Sequence, residues 1–199
     1  MGDGHYYDSR PSVASRPAEV VLALPDATVR LGTDRGVFSA GRVDPGTAIL
    51  LRRIPPPPVA GDLLDLGCGY GPIALTLARR SPGATVWAVD VNERALGLVR
   101  ANADALGLTN VRAAAPEDVP DGIRFAGLWS NPPIRIGKEA LHDLLDTWLA
   151  RLAPGGRAWL VVQRHLGADS LAAWLDERGY PTARAASKQA YRVLEVTGP

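Results

Sequence analysis

The stretch Asn131-Pro132-Pro133 carries the most specific chemistry in the chain. An exocyclic amine on a planar base is a poor nucleophile, because its nitrogen lone pair is delocalised into the ring. Two acceptors that take both amine hydrogens draw the nitrogen toward tetrahedral geometry and free that pair. The Asn131 side-chain oxygen and the Pro132 main-chain carbonyl can be those acceptors. Proline has no N–H and a fixed φ, so the segment through Pro133 is stiff and offers acceptors. The plainer reading is that Asn-Pro-Pro ends a strand.

A second group of residues is Asp65-Leu66-Gly67-Cys68-Gly69-Tyr70-Gly71-Pro72. The dinucleotide fingerprint is G-x-G-x-x-G, with its third glycine on a helix. Here Gly71 comes one residue early and Pro72 follows. A pyrophosphate uses a row of free N–H groups at a helix start, and Pro72 removes one. The loop instead suits a ligand without phosphates whose backbone approach must be close. S-adenosylmethionine (SAM) is such a ligand, and its sulfonium already activates a methyl group. Positioning and charge would then carry most of the rate. Asp65, Gly67, Cys68, Gly69 and Gly71 are the cofactor candidates of this loop. Asp90 lies about twenty residues beyond the glycines, at the end of a strand, where an acidic side chain accepts from both ribose hydroxyls. Val91 follows it directly and is grouped with it. After the next strand comes Pro116-Glu117-Asp118. Either acid could reach the adenine amine, with Glu117 taken as the candidate, against the reading that the loop is merely solvated.

These residues need elements to hold them. Four prolines, Pro55 to Pro58, favour a stiff extended segment and break the chain. They separate an N-terminal extension, residues 1–54, from a core over residues 59–199. After the break, short apolar runs alternate with helical periodicity. Strands are expected over Leu63–Leu66, Thr85–Asp90, Asn110–Ala114, Phe125–Ser130 and Arg157–Gln163. Helices are expected over Pro72–Arg80, then on Ala95, Leu98, Val99, Asn102 and Leu106, then on Leu141, Leu144, Leu145, Trp148 and Leu152. A last helix carries Leu171, Trp174 and Leu175, with Asp169 as its expected cap and Gly179 at its end. Two final strands, Thr182–Ser187 and Tyr191–Val196, have too short a link to be parallel. The alternation predicts an α/β fold: a Rossmann-like, mostly parallel seven-stranded sheet, helices on both faces, and an antiparallel C-terminal hairpin. In such sheets ligands bind at the carboxyl ends of strands, where Gly67, Asp90 and Asn131 all fall.

Composition narrows the class. The 199 residues are 46% apolar and 22% charged, within the globular range. No stretch approaches the roughly 20 apolar residues of a spanning helix, and the N-terminus lacks a signal-peptide pattern. A cytoplasmic location is expected. One cysteine, Cys68, excludes an internal disulfide or multi-cysteine metal site, and no metal is expected. The net charge of +1 argues against a protein that coats nucleic acid. Arginine outnumbers lysine 20 to 2, which fits either codon bias or planar phosphate contacts. Arg135 and Lys138 follow Asn131 directly, with Ile134 between, and Arg164 follows the fifth strand. All should reach one sheet edge, where an RNA backbone would run.

The segments Asp65–Pro72, Asp90 and Asn131-Pro132-Pro133-Ile134-Arg135-Ile136-Gly137-Lys138 resemble the SAM-dependent methyltransferases of the RsmC-like group. These modify guanine N2 in small-subunit ribosomal RNA. The resemblance extends through His5-Tyr6-Tyr7, Thr33–Ser39, Val43–Thr47 and Val161–Arg164, and so covers nearly the whole chain. It implies one methyltransferase domain, with residues 1–54 as a lid and helix over the cofactor. It puts Asp44-Pro45-Gly46-Thr47 at the start of a helix near the methionine moiety, and Phe38 in the same pocket. It also implies a ribosomal RNA partner and a monomer or weak dimer. Longer relatives carry a degenerate second copy of the domain that helps bind RNA, and none is read here. The same Asn-Pro-Pro chemistry serves adenine N6 or a protein glutamine. A non-catalytic RNA-binding module that kept the fold is the reading from another class, and it has no need for Asp65, Gly67, Gly69, Asp90 and Asn131 together. Pro72 disfavours a nicotinamide oxidoreductase.

Overall fold

The computed structural model describes residues 12–198. The His5-Tyr6-Tyr7 segment lies outside the described residues. Five strands run parallel at the centre: β3 (Ala60–Leu66), β4 (Gly83–Val89), β5 (Val111–Ala114), β6 (Phe125–Ser130) and β7 (Leu152–Gln163). The antiparallel hairpin of β8 (Thr182–Lys188) and β9 (Tyr191–Thr197) completes the sheet, in the order β5-β4-β3-β6-β7-β9-β8. The chain order reverses between β3 and β6, so a crevice opens at the carboxyl ends of those strands.

Alternation along the strands divides the core in two. Leu63, Trp129, Trp159 and Val161 point to one face, and Leu64, Leu128, Leu160 and Val162 to the other. The first face is covered by α1 (Pro45–Arg53), α2 (Pro72–Arg80) and α3 (Glu93–Ala105), which contribute Leu50, Leu77 and Val99. The second is covered by α4 (Lys138–Leu149) and α5 (Ala168–Glu177), which contribute Leu145, Trp148 and Leu175. Each fully buried leucine of this kind contributes about 1.5–3 kcal/mol. The indoles of Trp129 and Trp159 stack across neighbouring strands with centroids 4.9 Å apart. A Cβ on Gly127 would lie 2.4 Å from the Trp129 ring, so only glycine fits there.

Two local expectations are corrected, and one expected helix residue has a further role. The N-terminal extension holds a hairpin of β1 (Ala18–Ala23) and β2 (Thr28–Thr33), which the helical reading of that region omitted. Its alternating Val20, Leu22, Val29 and Leu31 are buried in the same apolar cluster as α3. Gly167, at φ 97°, caps α5, while Asp169 sits in the first turn and pairs with Arg192. Asn102 belongs to the helical stripe of α3, yet it is a polar staple. Its Nδ2 donates to the carbonyls of Gly32 (2.9 Å) and Tyr70 (3.0 Å), and its Oδ1 accepts from the Gly32 N–H at 2.7 Å. The staple binds β2 to the glycine loop. The proline break is the short link from α1 to β3, and residues on either side of it share one core cluster. Among the described residues no helix is long and apolar enough to cross a membrane, and no group of three His, Cys, Asp or Glu converges to hold a metal.

Candidate functional site

A cavity of about 640 Å³ opens at the carboxyl edge of the sheet. That volume lies in the range of small-molecule and cofactor sites. One wall is the glycine loop after β3. Gly67, Gly69 and Gly71 have φ of 73°, 54° and 93°, a region that L side chains avoid. The N–H groups of Gly67 and Cys68 donate to the Val89 carbonyl at 2.8 and 3.0 Å, which ties the loop to the end of β4.

Asp90 follows β4 and reaches this loop. Its Oδ2 accepts from the Gly69 N–H at 2.8 Å, and its Oδ1 from the Asn92 N–H at 2.9 Å. The Val91 N–H also lies against this carboxyl, and of its roughly four acceptor positions one is left toward the cavity, where a ribose hydroxyl can donate to it. Burial pushes the Asp90 carboxyl upward, and the backbone N–H groups oppose the shift.

Asn131 stands beside the glycine loop, one residue after β6, the strand that pairs with β3. The Ser130 hydroxyl donates to the Leu66 carbonyl at 2.7 Å and fixes the ends of β6 and β3 together. Asn131 Nδ2 donates to Asp44 Oδ2 at 2.9 Å and to Thr47 Oγ1 at 3.1 Å. Pro133, at φ −75° and ψ 71°, makes an inverse γ-turn, and the Pro132 carbonyl accepts from the Ile134 N–H at 2.8 Å. One lone pair of that carbonyl is thus committed, and a second is left.

The cavity brings together Phe38, Gly67, Gly69, Asp90, Val91 and Asn131, and also Pro132, Pro133, Ile134 and Arg135. Other candidates stand elsewhere. Asp65 is fully buried behind the loop, where Oδ2 accepts from the Ala74 N–H at 2.8 Å. It satisfies one of the unpaired donors of the first turn of α2, which is why it faces the helix and not the cavity. Burial first, then the nearby Asp90 charge, push its carboxyl up to about 8, although the Ala74 N–H pulls it down. Gly71 caps α2 and packs against Leu75 and Val99. Cys68 is buried and reaches only a small enclosed side pocket. Glu117 is exposed on the turn after β5, and its neighbour Pro116 lines the cavity instead. Lys138 begins α4 and Arg164 follows β7, both exposed and outside the lining. Lys138 lies one 3-10 turn beyond Asn131, and Arg164 opens the 3-10 turn that directly follows β7.

Sequence reasoning missed Arg42 at the mouth, and Gln163 and Tyr191 along the floor, where Gln163 Nε2 donates to the Tyr191 hydroxyl at 2.9 Å. It also missed that Asp44 and Thr47 contact Asn131. The Asp-Pro-x-Thr pattern signals a helix start, but nothing local announces a partner 87 residues away.

A sheet of this order, with a glycine loop after β3, an acid after β4 and Asn-Pro-Pro after β6, is the architecture of a Rossmann-like methyltransferase. The family described as "methyltransferase small domain" matches residues 28–195, and the chain belongs to that family. It is 36% identical to YbxB of Bacillus subtilis, an uncharacterized protein, over 96% of this chain and 97% of that one. It is 32% identical to ribosomal RNA small subunit methyltransferase C of Shewanella amazonensis, over 79% of this chain and 47% of that one. Among solved structures, the RsmC 16S rRNA N2 methyltransferase of T. thermophilus, in complex with AdoMet and guanosine, is similar with a TM-score of 0.79. Its identity is 28%, over 95% of this chain and 52% of that one. The chain thus spans about half the length of the methyltransferase C relatives it matches.

Proposed function

We propose that the chain is a SAM-dependent methyltransferase acting on the exocyclic N2 of guanine in small-subunit ribosomal RNA. The observation that carries this reading is that Asp90, the glycine loop and Asn131 line one cavity at neighbouring strand ends. The likeness to RsmC proteins supports the choice of guanine and of ribosomal RNA. The residues fit the cofactor: the Asp90 carboxyl has an acceptor position left, and Gly67 and Gly69 allow close backbone approach. Bound SAM supplies a methyl group activated by its sulfonium. Asp90 holds the ribose, and Phe38 and Val91 cover the cofactor with apolar surface. Asn131 Oδ1 and the remaining lone pair of the Pro132 carbonyl take the hydrogens of the target amine. The amine nitrogen attacks the methyl carbon as the carbon–sulfur bond breaks, and the nitrogen then releases a proton to solvent. Arg42 and Arg135, at the cavity mouth, meet the phosphates that flank the target nucleotide. Residues 12–54 close the cofactor side of the cavity as part of the same unit.

The test is methylation in vitro with methyl-labelled SAM, small-subunit ribosomal RNA and the assembled subunit. N2-methylguanosine in the nucleoside digest is the expected product. Label in N6-methyladenosine or in protein glutamine would move the substrate assignment. RNA binding with no label in any fraction would favour the binding module.

A further inference from the structure

We infer that Asp44 and Thr47 are positioning residues that decide which end of the Asn131 amide meets the reacting amine. The inference rests on the proposed methyl transfer and adds to it the device that orients the acceptor.

An asparagine amide has a donor end and an acceptor end of nearly the same shape, and it serves an amine only through its oxygen. Reversed, it would present N–H groups to N–H groups. Rotation about one side-chain bond exchanges the two ends, so something must hold the choice. Asp44 does so through charge. An ionised carboxylate has acceptors alone. Asp44 Oδ2, 2.9 Å from the Asn131 nitrogen, would repel the Asn131 oxygen in the reversed orientation. Thr47 Oγ1 takes the second contact of the same nitrogen at 3.1 Å. Asn131 Oδ1 accepts nothing from the described residues, and the residue lines the cavity. The acceptor is left for the ligand.

The start of α1 is built for this contact. Asp44 is its N-cap, and the same Oδ2 accepts from the Thr47 N–H at 3.0 Å. Pro45 occupies the first turn, where a missing N–H costs nothing. Gly46 gives the needed room: a Cβ there would lie 2.8 Å from Asp44 Oδ2 and 2.7 Å from the Tyr191 ring. Thr47 is buried, at 3% exposure, so its hydroxyl does not exchange partners freely with water. The negative charge beyond the nitrogen also polarises the amide, which makes its oxygen a stronger acceptor.

The decisive variant is Asp44→Ser. Serine still caps the helix but is too short to reach Asn131. At saturating SAM, kcat should fall about 10–100-fold, the scale of a hydrogen bond to a charged group, with little change in KM for RNA. Asp44→Asn offers a donor as well as an acceptor, can pair with either end of the Asn131 amide, and should recover only part of that loss. Thr47→Val should cost less than about tenfold. In an Asn131→Ala background, Asp44→Ser should cost no further rate, because its target is gone. A second readout needs neither cofactor nor turnover. In the wild type, the side-chain amide protons of Asn131, assigned by NMR, should exchange slowly, and in Asp44→Ser both should exchange quickly. The same fall in kcat in both backgrounds, or slow exchange that survives Asp44→Ser, overturns the positioning role. If the wild type methylates no RNA but the exchange result holds, the proposed function fails and the orienting contact stands.

Discussion

The two loops that sit side by side at the cavity, after β3 and after β6, are held by opposite means. The glycine loop is fixed by backbone: three residues with positive φ and N–H groups bound to the Val89 carbonyl. The Asn131 loop, from Asn131 to Pro133, has no positive φ, and two prolines stiffen it. Its functional atom is aimed by side chains from α1, 84 and 87 residues away. A loop built on dihedrals fails when a Cβ is added. A loop aimed by side chains fails when a distant partner is removed, while its own backbone stays in place.

Removing the Asn131 side chain should give the largest effect. Asn131→Ala loses one preorganised acceptor, which costs about 10²–10³ in kcat. SAM affinity, measured by calorimetry, should stay nearly unchanged. Full turnover on ribosomal RNA would return Asn-Pro-Pro to the role of a strand terminator. Gly71→Ala should do the reverse and act on folding. Its φ of 93° costs an alanine about 1–2 kcal/mol. The added Cβ would also lie 3.1 Å from Val99 and 3.2 Å from Leu75. A loss of about 2 kcal/mol lowers Tm by ~4–8 °C in a chain of this size. An unchanged Tm would mean that the loop is not held by its dihedrals.

A dependence on pH sharpens the same contrast. The Asp65 carboxyl, behind the glycine loop, is pushed up to about 8 by burial. In the unfolded chain it titrates near the ordinary value of about 3.9. The folded state therefore holds the proton more tightly. This contribution to stability is full below about pH 4 and is lost as pH rises through about 8. Asp65→Asn should flatten the fall in Tm between about pH 5 and pH 9. Parallel Tm curves for variant and wild type would show that Asp65 titrates alike in both states.

The contrast also explains what could be read from the chain. Elements that depend on local pattern were legible: the strand Phe125–Ser130 has the expected bounds, and α2 starts at Pro72 and ends at Arg80. The β1–β2 hairpin carries its alternation in only four residues, Val20, Leu22, Val29 and Leu31, which a helix-based reading of the extension passed over. Within the site, Asp65 was placed by motif at the cofactor, but a motif does not say which way a side chain turns. The free donors of α2 claimed it. Lys138 and Arg164 were placed by adjacency, but a turn of 3-10 helix separates Lys138 from the Asn131 loop, and Arg164, the first residue after β7, is exposed and outside the lining. The contacts of Asp44 with Asn131 and of Asn102 with Gly32 join segments 70 or more residues apart, and no periodicity encodes such pairs.

The glycine loop contains the only cysteine of the chain. A thiolate is an excellent acceptor for a sulfonium methyl group, and one exposed over this cavity would compete with any substrate for alkylation. Cys68 is kept out of that competition. Burial, then the charges of Asp90 and Asp65, push its thiol well above the ordinary range. At neutral pH it stays protonated and behaves as a small apolar side chain, packed at 3% exposure. The carboxylate that suits the ribose thus also protects the loop from alkylating itself.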